Sequence, residues 1–308
     1  MNKKLLLAVL LVGLAFSFGC TPTKITGNPF LGGTNGILIN FAENAPPDQI
    51  YDDSSNPFDV VVRLTNDGEY TVTKDKISVS LIGVDPVMFG QSPAAFFKMP
   101  SDDLIATTKD SSGNKQQSTP VDMEFTNFNY VGKVVGDMTY NIIAKVCYNY
   151  ETTATGKMCI NNNLMDTRST VCKLTEAKTI YSSGAPIQIT SLKQSVAGKD
   201  KISLEFTIEQ KGNGNIFKRD LACTDLFANR DKVYVTVTTD MPGLRCTGLT
   251  GGDERSGFIT LYEGKRTITC VQMIDTLTQQ SFEKPITIKA NYDYLEMKTE
   301  PITIKKSI

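Results

Sequence analysis

The chain has 308 residues, 32 Lys+Arg against 33 Asp+Glu, seven Cys, no His and no Trp. The missing His removes His-based general bases, Ser-His and Cys-His nucleophile systems and His metal ligands. A net charge of −1 without a basic block leaves no electrostatic footprint for nucleic acid, and 40% apolar against 21% charged residues is ordinary globular composition.

In chain order, the first signal is MNKKLLLAVLLVGLAFSFGC at residues 1–20. Lys3 and Lys4 precede an apolar run, Leu5 to Phe18, that is too short for a bilayer of roughly 30 Å but suits the h-region of a signal peptide. With Gly19-Cys20 at its end and Thr21-Pro22-Thr23-Lys24 following, the segment resembles a prokaryotic lipoprotein signal. That resemblance implies removal of residues 1–19, lipidation of Cys20 and a membrane partner through the N-terminal lipid. It puts the bulk of the chain outside the cytoplasm, on the outer face of the membrane in the cell envelope. Residues 20–35, with Gly27, Pro29, Gly32 and Gly33, lack periodicity and are expected to be a flexible tether.

Period-2 alternation bounded by Gly, Asn, Asp and Pro dominates the rest, and no segment carries a convincing helical stripe. Strands are predicted at 36–41, 58–65, 76–84, 121–125 and 140–150. A second set follows at 187–192, 201–209, 232–238, 257–262, 265–271 and 285–294, with 301–305 closing the second sheet. The sets repeat one another. Leu64 and Ile208 share a spacing of 144 with Tyr148 and Tyr292, inside Ile142-Ile-Ala-Lys-Val-Cys-Tyr-Asn-Tyr150 and Ile286-Thr-Ile-Lys-Ala-Asn-Tyr-Asp-Tyr294. Strands without intervening helices argue for antiparallel sandwiches rather than βαβ units.

The predicted fold is therefore all-β: two tandem antiparallel immunoglobulin-like sandwiches, at 36–182 with a loop insertion at 85–120, and at 185–308. Asp59-Val-Val-Val-Arg-Leu-Thr-Asn-Asp-Gly68 and Tyr140-Asn-Ile-Ile-Ala-Lys-Val146 resemble CARDB-like and related immunoglobulin-like modules of archaeal and bacterial surface proteins. The whole chain is similar to the Cys-containing surface lipoproteins of small-genome archaea. The resemblance implies fold and location, and its motifs carry no chemistry.

With Cys20 given to lipid, Cys147, Cys159, Cys172, Cys223, Cys246 and Cys270 remain, an even number that reads as disulfides in an exported chain. Alternation puts Cys147 outward beside Lys145 and Asn149, and Cys159 outward on a returning strand of the same hairpin. Cys147–Cys159 is then available, with Cys159–Cys172 competing. Cys246 and Cys270 share faces with Leu244 and Ile268 and form the best single pair, while Cys223 is left for Cys172 or for a free thiol. No C-x-x-C occurs, so zinc and thioredoxin-like sites are poorly supported.

Asp52, Asp53, Asn56, Asp59 and Asp102-Asp103 offer the oxygens calcium prefers, but these residue types are also what turns require, and the turn reading is the expectation. No metal, no cofactor and no catalytic residue is assigned. The insertion 85–101 is unusually apolar for a surface loop. Met88, Phe89, Phe96 and Phe97 are the candidates for partner contact if it does not simply pack over the open end of the sandwich. The sequence thus points to a non-catalytic cell-surface lipoprotein acting as an adhesion, binding or envelope-structural module, with a protein or glycan partner. The alternatives are an extracytoplasmic carboxylate-based hydrolase, or a subunit of a surface polymer joined by strand addition.

Overall fold

The structure is a computed structural model and describes residues 27–307 except 53, 55, 162, 165–170 and 275–280. The signal sequence and Cys20 lie outside the described residues, as does Asp53. Strands and short 3-10 turns are the regular elements among the described residues, and the chain is an all-β sandwich protein.

Two very long strands organise it. Met138–Ile160 and Phe282–Lys305 run antiparallel and pair without interruption from Met138↔Ile304 to Ile160↔Phe282. Apolar alternation runs along most of each, interrupted at Thr152 in the first and at Glu296, Lys298 and Glu300 in the second. Ile142, Ala144, Val146, Tyr148, Tyr150, Ala154, Met158 and Ile160 of the first, and Ile286, Ile288, Ala290, Tyr292, Tyr294, Ile302 and Ile304 of the second, all face inward and are buried. Period-2 side chains on a pleated strand put every even-numbered residue here on one face.

Around this pair the sheet grows to nine strands. Ile77–Ile82 flanks the start of the first long strand and carries Phe97–Lys98 on its other side. Lys232–Thr239 flanks the start of the second long strand and carries Ser256–Thr260. Ile180–Ser182, Asn215–Phe217 and the parallel Gln49–Tyr51 add short edges. The two flanks lie at corresponding places, Ile77 beside Tyr148 and Tyr234 beside Asn291, although they are offset by more than the 144 residues that separate the long-strand motifs.

Two further sheets cover the inner face. Ile37–Phe41, Phe58–Asn66 and Val121–Phe128 form one of three strands. It lies over the Met138 end, where the Ile37 amide donates to the Tyr148 hydroxyl at 3.2 Å and Tyr150 bonds Asn66 at 3.1 Å. Glu176–Lys178, Ile187–Val196, Lys201–Gln210, Lys265–Met273 and Leu244–Cys246 form one of five strands over the Ile160 end. There the wholly buried Gln194 satisfies both the amide and the carbonyl of Cys159 at 2.8 Å each. The apolar interior between the layers is continuous.

Three expectations need correction. Residues 151–160 do not return as a hairpin but continue the strand that contains Cys147; Glu151-Thr-Thr-Ala-Thr-Gly156 is polar and small, yet its even positions still face the core. Twelve residues of extended strand separate Cys147 from Cys159 by roughly 40 Å, which no disulfide bridges. The tail 301–305 does not close the second sheet. Antiparallel pairing brings the end of one long strand to the beginning of the other, so Pro301 meets Asn141 and Ile304 meets Met138.

Candidate functional site

The six later cysteines form three bridges: Cys147–Cys223, Cys159–Cys172 and Cys246–Cys270. Cys246 and Cys270 lie directly opposite each other on paired strands. Cys223 joins Cys147 rather than Cys172, because the segment after Asn215–Phe217 folds across the outer face of the long strands, where Cys147 points. Three bridges fit a chain matured in an oxidising compartment outside the cytoplasm.

That segment is held by more than sulfur. Asp220, Ala222 and Cys223 adopt left-handed backbone, which turns successive amides toward one point. The buried Asp293 carboxylate occupies it, accepting from the amides of Asp220 at 3.0 Å and Leu221 at 2.9 Å and from the Asn149 amide side chain at 2.9 Å. Concave amide clusters of this kind bind anions, and here the anion is part of the chain. Cys147, Phe217, Cys223 and Leu295 pack together beneath the segment as a small second core.

The opposite wall comes from the apolar insertion. Asp85 caps a 3-10 turn at Pro86–Phe89 by accepting from the Val87 amide at 3.0 Å, and Gly90 ends the turn in left-handed conformation. This throws Phe89 inward, where its ring meets those of Phe58, Phe128, Tyr130 and Tyr140 at centroid distances of 5.6 to 6.4 Å. Pro93–Phe96 makes a second turn and sends Phe96 against Phe128 at 5.2 Å. Phe89 at 0% and Phe96 at 5% exposure are therefore core residues and not partner contacts, and Met88 is half-buried against the same core. The insertion closes the end of the core beneath Phe58 and Phe128 of the three-stranded sheet. Phe97 differs: as the next residue in a strand it points the other way and is 52% exposed, with Met99 at 49%.

Between the two walls lies an open groove of about 480 Å³ on the outer sheet face. Ser78, Ser80, Lys145 and Asn149 supply its floor, Phe97 and Met99 one wall, and Asp220 and Ala222 the other. Lys76 reaches Asp220 across it at 2.9 Å. The size is in the range of small-ligand and peptide sites. Sequence reasoning found Phe97 but missed Lys145, Met99 and the 220–223 wall: strand pairing across Ile77–Ile82 sets Lys145 beside Phe97, and the Cys147–Cys223 bridge adds the wall.

The acidic candidates do not assemble. Asp52 accepts from the Val134 amide at 2.9 Å and from the Ser307 amide and hydroxyl at 2.8 and 2.7 Å. These bonds hold its carboxyl far below the usual carboxylate range. Asp59 accepts from the Asn127 amide, Asp102 from the Ser101 hydroxyl and Asp103 from the Lys74 amide. Asp52, Asp59 and Asp103 each tie a different pair of segments together, while Asp102 bonds its neighbour in the same loop.

Comparison with known proteins adds little to this picture. No protein family matches the chain. No curated protein matches it either. Among solved structures, a crystal structure of the CFA/I adhesin CfaE of enterotoxigenic E. coli is similar over 92% of this chain and 88% of that one, at 10% identity and a TM-score of 0.09. At that score the likeness carries no argument.

Proposed function

We propose that the chain is a non-catalytic surface lipoprotein, anchored through Cys20, that binds a partner at the groove between Phe97-Met99 and the Cys223 segment. The observation that carries this is the contrast within one insertion. Phe89 and Phe96 are spent on the core, while Phe97 and Met99 stand half in solvent beside a wall that a disulfide and Asp293 hold rigid. Exposed apolar side chains on a pre-organised concave surface are the ordinary makings of a contact site. The carboxylates near the groove support binding better than hydrolysis. Asp293 is held by backbone amides, Asp220 by Lys76 and Asp75 by the Thr73 hydroxyl, so among the described residues no two free acids face one another across it. Strand addition has weaker support at Val121–Phe128, whose outer carbonyls at Glu124, Thr126 and Asn127 are capped by Lys98 and Gln91 side chains.

Two variants in the native envelope test this. Cys20→Ser should release the protein from the membrane fraction or block its maturation. Phe97→Ser should leave it anchored and folded but weaken its association with partner cells or envelope. Unchanged anchoring of the first rejects the lipid, and unchanged association of the second rejects the groove.

A further inference from the structure

The outer face of the nine-stranded sheet carries a ladder of four side chains. Phe97 stands opposite Ser80, Ser80 opposite Lys145, and Lys145 opposite Met297, on four neighbouring strands. All point away from the core, since their strand neighbours Val79, Leu81, Ala144 and Val146 are buried. At about 4.8 Å between strands the ladder spans roughly 14 Å, with an aromatic ring at one end, a thioether at the other and an ammonium group between. Phe97 and Met297 are each about half exposed, and Met99 flanks the ring.

Lys145 makes no salt bridge among the described residues, whereas the other charges near it are engaged. Lys76 pairs with Asp220 at 2.9 Å, and Asp225 is held by Arg230 at 2.6 Å. Asp293 is filled by amides, and Asp75 is held ionised by the Thr73 hydroxyl. One cation without a salt bridge thus sits between apolar ends, its charge acting at longer range on the Asp225 carboxylate that Arg230 already holds, inside a rim of committed carboxylates. A polyanion would meet Asp75, Asp220 and Asp225 as well as Lys145. A neutral ligand would leave the ammonium without a close ion-pair partner. Phe and Met, soft and adaptable, suit a protein contact better than the stacked faces of sugars.

We propose that the groove receives an extended peptide segment of a protein partner that carries a single carboxylate between apolar side chains. The carboxylate pairs with Lys145, and the apolar neighbours rest on Phe97-Met99 on one side and on Met297 on the other. This rests on the reading of the groove as a binding site and adds the chemistry of what enters it.

The test is selection of random displayed peptides on the full-length protein in detergent, with methionine methyl resonances followed by NMR. The expected result is enrichment of peptides with one Asp or Glu flanked by apolar residues. Their binding should shift the Met99 and Met297 methyl signals and weaken about tenfold or more in Lys145→Gln, as loss of a charge-assisted contact implies. Peptides that shift both methyls but lack an acid, or that bind Lys145→Gln equally well, overturn the carboxylate assignment and leave the groove standing. Enriched peptides that leave both methyls unmoved overturn the proposal and the groove together. Failure to enrich any peptide, while Phe97→Ser still abolishes surface association, overturns the peptide partner alone; if association also survives Phe97→Ser, both fall.

Discussion

Tyr148 and Tyr294 stand directly opposite each other across the two long strands, ring centroids 5.8 Å apart and nearly edge to face. Tyr150 and Tyr292 are likewise opposite one another, tilted and 6.5 Å apart, and all four rings are fully buried. The internal repeat puts one Tyr-x-Tyr in each long strand. Antiparallel pairing then sets the first tyrosine of one motif against the second of the other, so a local two-fold relation passes between them. Their hydroxyls do equivalent work. Tyr148 accepts from the Ile37 amide and Tyr292 from the Ile187 amide, both at 3.2 Å, each at the first residue of a covering strand.

Tyr292→Phe should therefore destabilise the protein by about 1–3 kcal/mol, because the buried Ile187 amide loses its acceptor. Tyr292→Ala should cost more, about 3–5 kcal/mol, through the cavity it leaves. Chemical denaturation gives both numbers. A neutral Tyr292→Phe would mean that the hydroxyl is not what holds the covering strand in place.

Much of this architecture could be read from alternation alone, and the limits are instructive. Strand positions were legible wherever large apolar residues alternate, as at Phe58–Leu64 or Lys201–Glu209. Residues 151–160 were not, because Thr, Ala and Gly at inward positions satisfy the core by being small: Gly156 sits where a Cβ would come 2.8 Å from Leu192. The Cys246–Cys270 bridge followed from which residues share a face. Cys147–Cys223 could not follow, since it depends on a loop crossing a sheet face rather than on any strand pairing. In the insertion, sequence revealed an apolar loop but not its division into inward Phe89 and Phe96 and outward Phe97. That division is made by two 3-10 turns whose caps, Asp85 and Gly90 for the first, only become meaningful once the turn is seen.

The Cys147–Cys223 bridge closes a separation of 76 residues, and in the chain-entropy account such a loop contributes roughly 4 kcal/mol. The Cys147→Ser, Cys223→Ser double variant should lose stability on that order and become sensitive to protease within 218–229, as the Asp293 bonds, the exposed Lys76–Asp220 pair and ring contacts of Lys218 and Arg219 then hold the segment. Limited proteolysis with mass mapping reports the site. Cleavage elsewhere first, with this segment intact, would show that the non-covalent contacts suffice.

Asp52 joins the C-terminal end of the second long strand to the 130–134 loop, and its folded-state pKa is depressed mainly by the Val134 and Ser307 amides. A depressed carboxylate contributes stability that is present above the unfolded value near 4 and is lost as pH falls toward the folded value. The wild type should thus exceed Asp52→Asn in stability at neutral pH, and the gap should narrow below about pH 4. Urea midpoints for both proteins across that range decide the matter. A gap constant with pH would assign the effect to shape rather than charge.

Phe96 and Phe97 are adjacent in sequence and opposite in role, which allows one pair of variants to separate packing from contact. Phe96 lies against Phe128 with 5% exposure, so Phe96→Ser removes a ring from the core and puts a hydroxyl there. It should cost about 3–5 kcal/mol and lower the melting temperature by several degrees. Phe97 is 52% exposed and ends the outer ladder, so Phe97→Ser should leave the melting temperature nearly unchanged. Its effect should show instead in partner association, where burying such a ring contributes on the order of 1.5–3 kcal/mol. Thermal unfolding and surface association measured on the same two proteins give four readings, and the expected pattern is a crossed one. If both variants unfold early, the strand Phe97–Lys98 depends on the ring for its own order and the contact role of Phe97 falls. If neither does, Phe96 does not close the end of the core as its burial implies.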